Sequence, residues 1–215
     1  MDLLQAFLLG LLQGITEFLP VSSSGHLALG RALFDSELAP GITFEIVVHF
    51  GSFCSISVYY RERLLHILKD LFKHMLPSKI KTGEYLENES VRLSGYILLS
   101  MIPAGIVGFT MKEEIEQLFI NPVLVSFLLI VTGVLLFFTR FMKRLDSHNN
   151  AVKSFLIGIA QAFAILPGIS RAGSTISTAL FLRIGREEAA NFSFLMVLPI
   201  LAGAMLKEML DLFEA

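Results

Sequence analysis

The sequence is poor in cysteine and in charged residues, and it contains no tryptophan. It has no tryptophan and one cysteine, Cys54, so no disulfide can form within the chain. Charged residues make up 17% of the 215 residues, whereas proteins in water average about 25%. The net charge is −2 and there is no basic tail, so nothing indicates a nucleic-acid partner. Hydrophobic residues make up 54%, which favours a single integral membrane domain over residues 1–215.

The apolar runs predict an all-α polytopic membrane protein. A transmembrane helix needs about 20 mostly apolar residues, and four segments approach or exceed that length. These are residues 42–60, 91–111, 120–142 and 189–206. Three further apolar runs are too short or too interrupted to cross alone, namely residues 3–19, 153–166 and 173–182. We therefore predict about four full transmembrane helices and two re-entrant or broken helical hairpins.

The charges between the spans predict their orientation. Residues 61–92 and 140–153 are rich in lysine and arginine, while residues 112–119 contain three glutamates and one lysine. Connections that alternate between basic, acidic and basic are what the positive-inside rule predicts when successive spans cross the membrane between them. We expect the two basic connections to be cytoplasmic and the acidic one external.

Parts of the first 50 residues recur near the end of the chain. FLLGLLQG, which begins at Phe7, matches FLIGIAQA, which begins at Phe155, an offset of 148 residues. FLP ending at Pro20 returns as ILP ending at Pro167, an offset of 147, and TFEI returns as NFSF. The alternative is chance similarity between apolar stretches, which the matched polar residues and prolines disfavour.

This repetition predicts two related structural units. We place them at about residues 1–70 and 151–215, on either side of the middle spans 91–142. The charge pattern starts the two units on opposite sides of the membrane, so we predict an inverted repeat. Such repeats bring their broken helices and polar loops together near the bilayer midplane.

The first polar motif, EFLPVSSSGH, lies between two apolar stretches. Gln13 and Glu17 are four residues apart, so they share a helix face and can offer oxygens to a hard cation. Ser22 and Ser23 follow a proline, where hydroxyls and backbone N–H groups either bind anions or simply cap a turn. His26 is a candidate general acid or base, because imidazole exchanges protons near neutral pH.

The second polar motif is LPGISRAGST. It combines Arg171 with glycines and with the hydroxyls of Ser170 and Thr175. A guanidinium in such a loop favours phosphate binding, because its planar N–H groups match phosphate oxygens. The alternative is an arginine that extends to lipid headgroups, which its position between two short apolar pieces disfavours.

A third pair, Glu45 and His49, is also four residues apart and lies in the predicted span 42–60. These side chains either support the first motif from behind or line a wet crevice. The supporting role is favoured because Glu45 belongs to the repeated TFEI segment.

The combination of QGITEFLPVSSSGH with PGISRAGSTIS resembles the undecaprenyl-diphosphate phosphatases, the bacitracin-resistance family of bacterial membranes. The resemblance covers nearly the whole chain. It implies hydrolysis of undecaprenyl diphosphate to undecaprenyl phosphate and inorganic phosphate, which recycles the lipid carrier of peptidoglycan synthesis. It also implies a divalent cation, Mg²⁺ or Ca²⁺, and a site that opens to the extracytoplasmic side of the inner membrane.

The resemblance assigns roles to residues of both motifs. The catalytic residues are Glu17, Ser23, His26 and Arg171, the substrate contacts are Gln13, Ser22, Ser170 and Thr175, and the metal-associated pair is Gln13 and Glu17. The nucleophile stays open between Ser23, His26 and water. Ala172 stands where the family commonly has a serine. Typical members continue for about two more spans, and association of two copies is one way to close a shorter fold.

Two other classes of function compete with this interpretation. A transporter or flippase of a polyprenyl phosphate has the same features, because inverted repeats and broken helices are typical of secondary transporters. A purely structural membrane subunit is the third alternative, and it predicts that Glu17, His26 and Arg171 are replaceable without loss.

Overall fold

The computed structural model describes residues 3–33, 42–74, 88–142 and 147–214, which are almost entirely helical. Their helices are α1 Leu3–Phe18, α2 Ser23–Leu33, α3 Ile42–Tyr59, α4 Arg61–His74, α5 Glu89–Thr110, α6 Lys112–Leu118, α7 Pro122–Thr139, α8 Ala151–Phe163, α9 Arg171–Phe181 and α10 Arg186–Glu214. In these ranges β-type pairing is limited to a parallel bridge between Ser147 and Ile184. The predicted all-α fold is confirmed.

Three of the described helices are long and apolar enough to cross a membrane. They are Glu89–Thr110, Pro122–Thr139 and the Arg186–Leu206 part of α10. The chain is therefore a multi-pass membrane protein, and these helices match three of the four predicted spans. The fourth predicted span, residues 42–60, is helical as α3, and its crossing stays a prediction because several side chains before Val47 lie outside the described part of the chain.

The short apolar runs form two helical hairpins. α1 and α2 pack together around a break at residues 19–22, and α8 and α9 pack together around a break at residues 164–170. A longer helix, α3 or α10, follows each hairpin, so both ends of the chain have the same order of elements. The boundaries of the repeat units and their inverted orientation stay predictions.

Each hairpin reverses at a proline that is followed by a residue with positive φ. Ser22, two residues after Pro20, has a φ of +72°, and Gly168, directly after Pro167, has a φ of +93°. Proline disfavours continuation of a helix, because it lacks an N–H donor and its ring clashes with the preceding turn. The left-handed conformation costs Ser22, which has a Cβ, about 1–2 kcal/mol. The strain therefore lies inside the first polar motif.

The second hairpin is held in the bundle by a close contact between α8 and α5. At Gly158 the two helices approach so closely that an added Cβ would lie 2.4 Å from the carbonyl oxygen of Ser100. Ile157 beside it is completely buried, as is Met196 of α10 in the same core. This contact fixes the position of α8 and hence of the loop that carries Arg171.

We expect Gly158→Ala to destabilise the fold, because the methyl group would force α8 away from the backbone of α5. Overpacking of this kind typically costs about 1–3 kcal/mol. Gly133→Ala in α7 is the matched control, because a Cβ at Gly133 would meet nothing within 4 Å. Thermal unfolding in detergent should show a lower midpoint for the first variant only. Equal midpoints would contradict the close approach.

Candidate active site

The two polar loops lie directly against each other. An added Cβ at Gly25 would stand 2.9 Å from the Cα of Gly168, and one at Gly173 would stand 2.8 Å from the carbonyl oxygen of Pro20. Backbone from the first motif therefore touches backbone from the second at two points. Only residues without side chains allow this approach, and it brings together residues that are about 150 positions apart in the sequence.

Glu17 is the centre of the resulting polar cluster. Its Oε1 accepts a hydrogen bond from Nη2 of Arg171 at 2.7 Å. Its Oε2 accepts from Oγ of Ser23 at 2.6 Å and from Nε2 of Gln13 at 3.0 Å. The Glu17 side chain is 5% exposed and that of Arg171 is 20% exposed. A buried carboxylate is tolerated only when it is paired and hydrogen-bonded, and all three partners come from the predicted motifs.

Two polar atoms beside Glu17 are buried and have no hydrogen-bond partner among the described residues. They are Oε1 of Gln13, which is an acceptor, and Nη1 of Arg171, which is a donor. Leaving such groups unpaired is costly, since each loses its bonds to water. An acceptor near the arginine nitrogen and a donor or cation near the glutamine oxygen would satisfy both atoms.

The imidazole of His26 is fixed by the strained turn at Ser22. Its Nδ1 lies 2.8 Å from the carbonyl oxygen of Ser22, so Nδ1 donates the proton and Nε2 is left as an acceptor. The Ser22 hydroxyl accepts a hydrogen bond from the backbone N–H of Gly25 at 3.3 Å and is 4% exposed. Ser22 thus shapes the loop, whereas the half-buried His26 presents a basic nitrogen.

The hydroxyls of the second motif are engaged in holding its backbone. Oγ of Ser170 caps α9 by accepting from the N–H of Gly173 at 3.0 Å. Oγ1 of Thr175 donates to the carbonyl oxygen of Arg171 at 2.8 Å and lies 2.7 Å from Oγ of Ser193. Both predicted phosphate-contacting hydroxyls are almost fully buried, and in this arrangement they position the arginine.

Two residues near the site were missed by sequence reasoning. Thr132 of α7 donates to the carbonyl oxygen of Gly168 at 2.9 Å and accepts from the N–H of Ser170 at 3.0 Å. A single threonine inside an apolar span gives no signal for this role. Ser193 did give one, because it occupies the position of Glu45 when TFEI is matched to NFSF.

The predicted supporting pair is only partly described. Glu45 lies in α3, but its side chain is outside the described part of the chain. His49 lies within electrostatic reach of Glu17, and its Nδ1 is buried with no partner among the described residues. The supporting role of Glu45 and His49 stays a prediction.

These features define a multi-pass membrane protein whose two broken hairpins meet at a buried acid–guanidinium pair. Residues 6–215 match the family model described as bacitracin resistance protein BacA. The chain belongs to that family.

Curated relatives extend over nearly the whole chain and carry one name, undecaprenyl-diphosphatase. The relative from Salinibacter ruber is 43% identical over 212 residues, covering 98% of this chain and 78% of the relative. The one from Bacteroides fragilis is 44% identical over 208 residues, covering 96% and 74%. The one from Syntrophotalea carbinolica is 41% identical over 214 residues, covering 98% and 78%.

We expect Thr132→Val to destabilise the protein, because it leaves the carbonyl oxygen of Gly168 and the N–H of Ser170 buried without partners. The expected cost is about 1–3 kcal/mol for each unsatisfied group. Thr132→Ser keeps the hydroxyl and should restore most of the thermal unfolding midpoint. If the valine variant were as stable as the original chain, the bridging role of Thr132 would be wrong.

Proposed function

We propose that the chain is a membrane phosphatase that hydrolyses undecaprenyl diphosphate to undecaprenyl phosphate and inorganic phosphate. The observation that carries the proposal is the ion pair between Glu17 and Arg171, which joins both family motifs in one buried site. The relatives' shared name supports the same reaction. This reaction returns the lipid carrier of peptidoglycan synthesis and accounts for the link between the family and bacitracin resistance.

Arg171 is the proposed clamp for the diphosphate. Glu17 holds one of its terminal nitrogens, and the other, Nη1, is a buried donor without a partner among the described residues. Charge-assisted hydrogen bonds to phosphate oxygens are among the stronger hydrogen bonds in proteins. Arg171 is also the first residue of α9, where the backbone N–H groups and the helix dipole favour an anion.

A divalent cation, Mg²⁺ or Ca²⁺, is the proposed cofactor. The described residues include no group of three or more His, Cys, Asp or Glu side chains that would hold a metal on its own. Oε1 of Gln13 is a buried acceptor without a partner in that part of the chain, and Glu17 retains acceptor capacity beside its three donors. These two residues fit a cation that takes its other ligands from phosphate and water. Such a cation would neutralise charge on the diphosphate.

Ser23 is the proposed nucleophile. Its hydroxyl donates to Glu17 at 2.6 Å, which is the contact expected between a nucleophile and the base that activates it. Oγ of Ser23 attacks the terminal phosphorus while Glu17 takes the proton. The bond between this phosphorus and the bridging oxygen breaks, and undecaprenyl phosphate leaves.

Water completes the reaction by hydrolysing the phosphoserine, which releases inorganic phosphate and restores the Ser23 hydroxyl. Nε2 of His26 is suited to take a proton from this water, because Nδ1 is held by the carbonyl oxygen of Ser22. In this scheme Ser22, Ser170 and Thr175 position the loops around the substrate, and His49 supports Glu17.

The proposed location is the bacterial cytoplasmic membrane, with the site open to its extracytoplasmic side. The basic connections support this orientation under the positive-inside rule. The proposed partners are a polyprenyl diphosphate and the surrounding lipids, and pairing of two copies stays a prediction. Transport of a polyprenyl phosphate gains no support from the relatives named above, which all carry the name of an enzyme.

Phosphate release by the purified protein tests the proposed function directly. In detergent with Mg²⁺ or Ca²⁺, we expect the chain to release phosphate from undecaprenyl diphosphate. Arg171→Ala should lower the rate by about 10²–10³, the usual effect of removing one donor to a developing charge. Arg92→Ala is the matched control on an exposed arginine. No release in detergent, combined with movement of the lipid phosphate across vesicles, would instead support transport.

Rapid-quench labelling tests the nucleophile. With undecaprenyl diphosphate labelled in its terminal phosphate, we expect transient phosphorylation of Ser23. Ser23→Ala should abolish the label and most of the turnover, whereas Ser24→Ala at the neighbouring serine should keep both. A label on His26 would reassign the nucleophile, and turnover without any labelled protein would support direct attack by water.

A further inference from the structure

Helix α4 follows the apolar α3 after one residue but is far more polar. Its 14 residues, RERLLHILKDLFKH, include six charged side chains and two histidines. Sequence reasoning treated this segment only as part of a basic connection, and the structure shows it to be a continuous helix. It is too short and too polar to cross a bilayer.

The start of α4 is fixed to the membrane domain. Tyr60, the residue between α3 and α4, donates a hydrogen bond from its hydroxyl to Oδ1 of Asn191 in α10 at 2.8 Å. The neighbouring Tyr59 is 80% exposed. Exposed tyrosines at the end of a membrane helix are typical of the boundary between lipid and water. The exposed Tyr59 therefore favours a start of α4 near that boundary.

One face of α4 packs on the protein, and an adjacent apolar face does not. Ile67 is 9% exposed, and α4 contacts α5. Leu65, Leu68 and Phe72 are 53%, 50% and 77% exposed. Their spacing of three and four residues aligns them in one stripe along the helix, which we call the α4 stripe. The apolar surface of α4 is therefore wider than the part that the protein covers.

Basic side chains border the α4 stripe. Arg61 and Lys69 lie four residues before and after Leu65, so they share its side of the helix. Lys73 follows Phe72, and all three basic residues are exposed. A helix with an apolar stripe and flanking lysines and arginines is suited to lie in a membrane interface, where anionic headgroups attract the basic residues. Four basic and two acidic side chains give α4 a net charge of +2, which favours an anionic lipid surface over another apolar protein surface.

We propose that α4 is an interfacial helix that binds anionic phospholipid in the leaflet next to the basic connections. The α4 stripe lies at the boundary of the acyl chains, and Arg61, Lys69 and Lys73 contact the lipid phosphates. Long basic side chains can do so because their aliphatic stems run along the apolar surface while the charges reach the headgroups. This surface is separate from the Glu17 cluster, so the proposal stands independently of the catalytic one.

The absence of tryptophan from the chain allows a clean test. Phe72→Trp would create the sole tryptophan, placed on the α4 stripe, and His66→Trp would place it on the polar side of the same helix as a matched control. The full chain is reconstituted into vesicles of phosphatidylglycerol and phosphatidylcholine that contain lipids brominated near the headgroup. We expect tryptophan at position 72 to emit at shorter wavelength and to be quenched at least twofold more than tryptophan at position 66.

The charge requirement is tested in the Phe72→Trp background with Lys69→Gln and Lys73→Gln added. These changes should reduce the quenching in vesicles containing phosphatidylglycerol and have little effect in pure phosphatidylcholine. Unchanged quenching in both vesicle types would overturn the preference for anionic lipid. Blue-shifted emission that brominated lipid does not quench would show that protein, such as a second copy, covers the stripe, and would overturn the proposal. Equal thermal midpoints for the variants would confirm that each is folded.

Discussion

The ion pair between Glu17 and Arg171 is the contact on which the arrangement of both hairpins depends. It joins residues 154 positions apart and buries a carboxylate in a domain that is otherwise mainly apolar. Removing one partner of a buried pair typically costs about 3–5 kcal/mol, because the other charge stays buried without compensation. Neither hairpin can be displaced alone without that cost. The pair thus specifies how the two ends of the chain meet, besides supplying the chemical groups of the site.

Close backbone packing makes that ion pair geometrically possible. Gly25 against Gly168 and Gly173 against Pro20 bring the two loops into direct contact, and Gly158 sets the depth of α8 against α5. A side chain at Gly25 or Gly173 would push the two loops apart, and one at Gly158 would push α8 away from α5. Since charge-assisted hydrogen bonds are short, such a shift weakens the bonds to Glu17 first. Glycine in these motifs is therefore as necessary to the site as its charged residues.

The sequence predicted the charged residues of the site and the meeting of their loops. It did not predict Thr132 or the α4 stripe, and each of these failures has a physical cause. Glu17 and Arg171 were recognisable because charged residues rarely occur within apolar runs, and the repeat predicted that their loops meet. Thr132 was not recognisable, because a threonine that bonds to a distant loop looks the same as one that bonds to its own helix. The α4 stripe was not predicted, because the charged residues of α4 indicated an ordinary connection between spans. Its exposure depends on which face α5 covers, and only tertiary structure reveals that.

In the second loop the hydroxyl groups hold the backbone in place, and the guanidinium of Arg171 is the group that can bind a ligand. The side chains of Ser170 and Thr175 form hydrogen bonds to backbone atoms next to Arg171. Thr132 forms hydrogen bonds to the backbone of the turn that precedes Arg171. The arginine is consequently oriented before any ligand arrives, with one nitrogen on Glu17 and the other buried without a partner among the described residues. A preorganised donor needs little rearrangement when negative charge develops during reaction, and that saving is the main source of electrostatic catalysis. Hydroxyls that never touch the substrate can therefore matter to the rate as much as those that do.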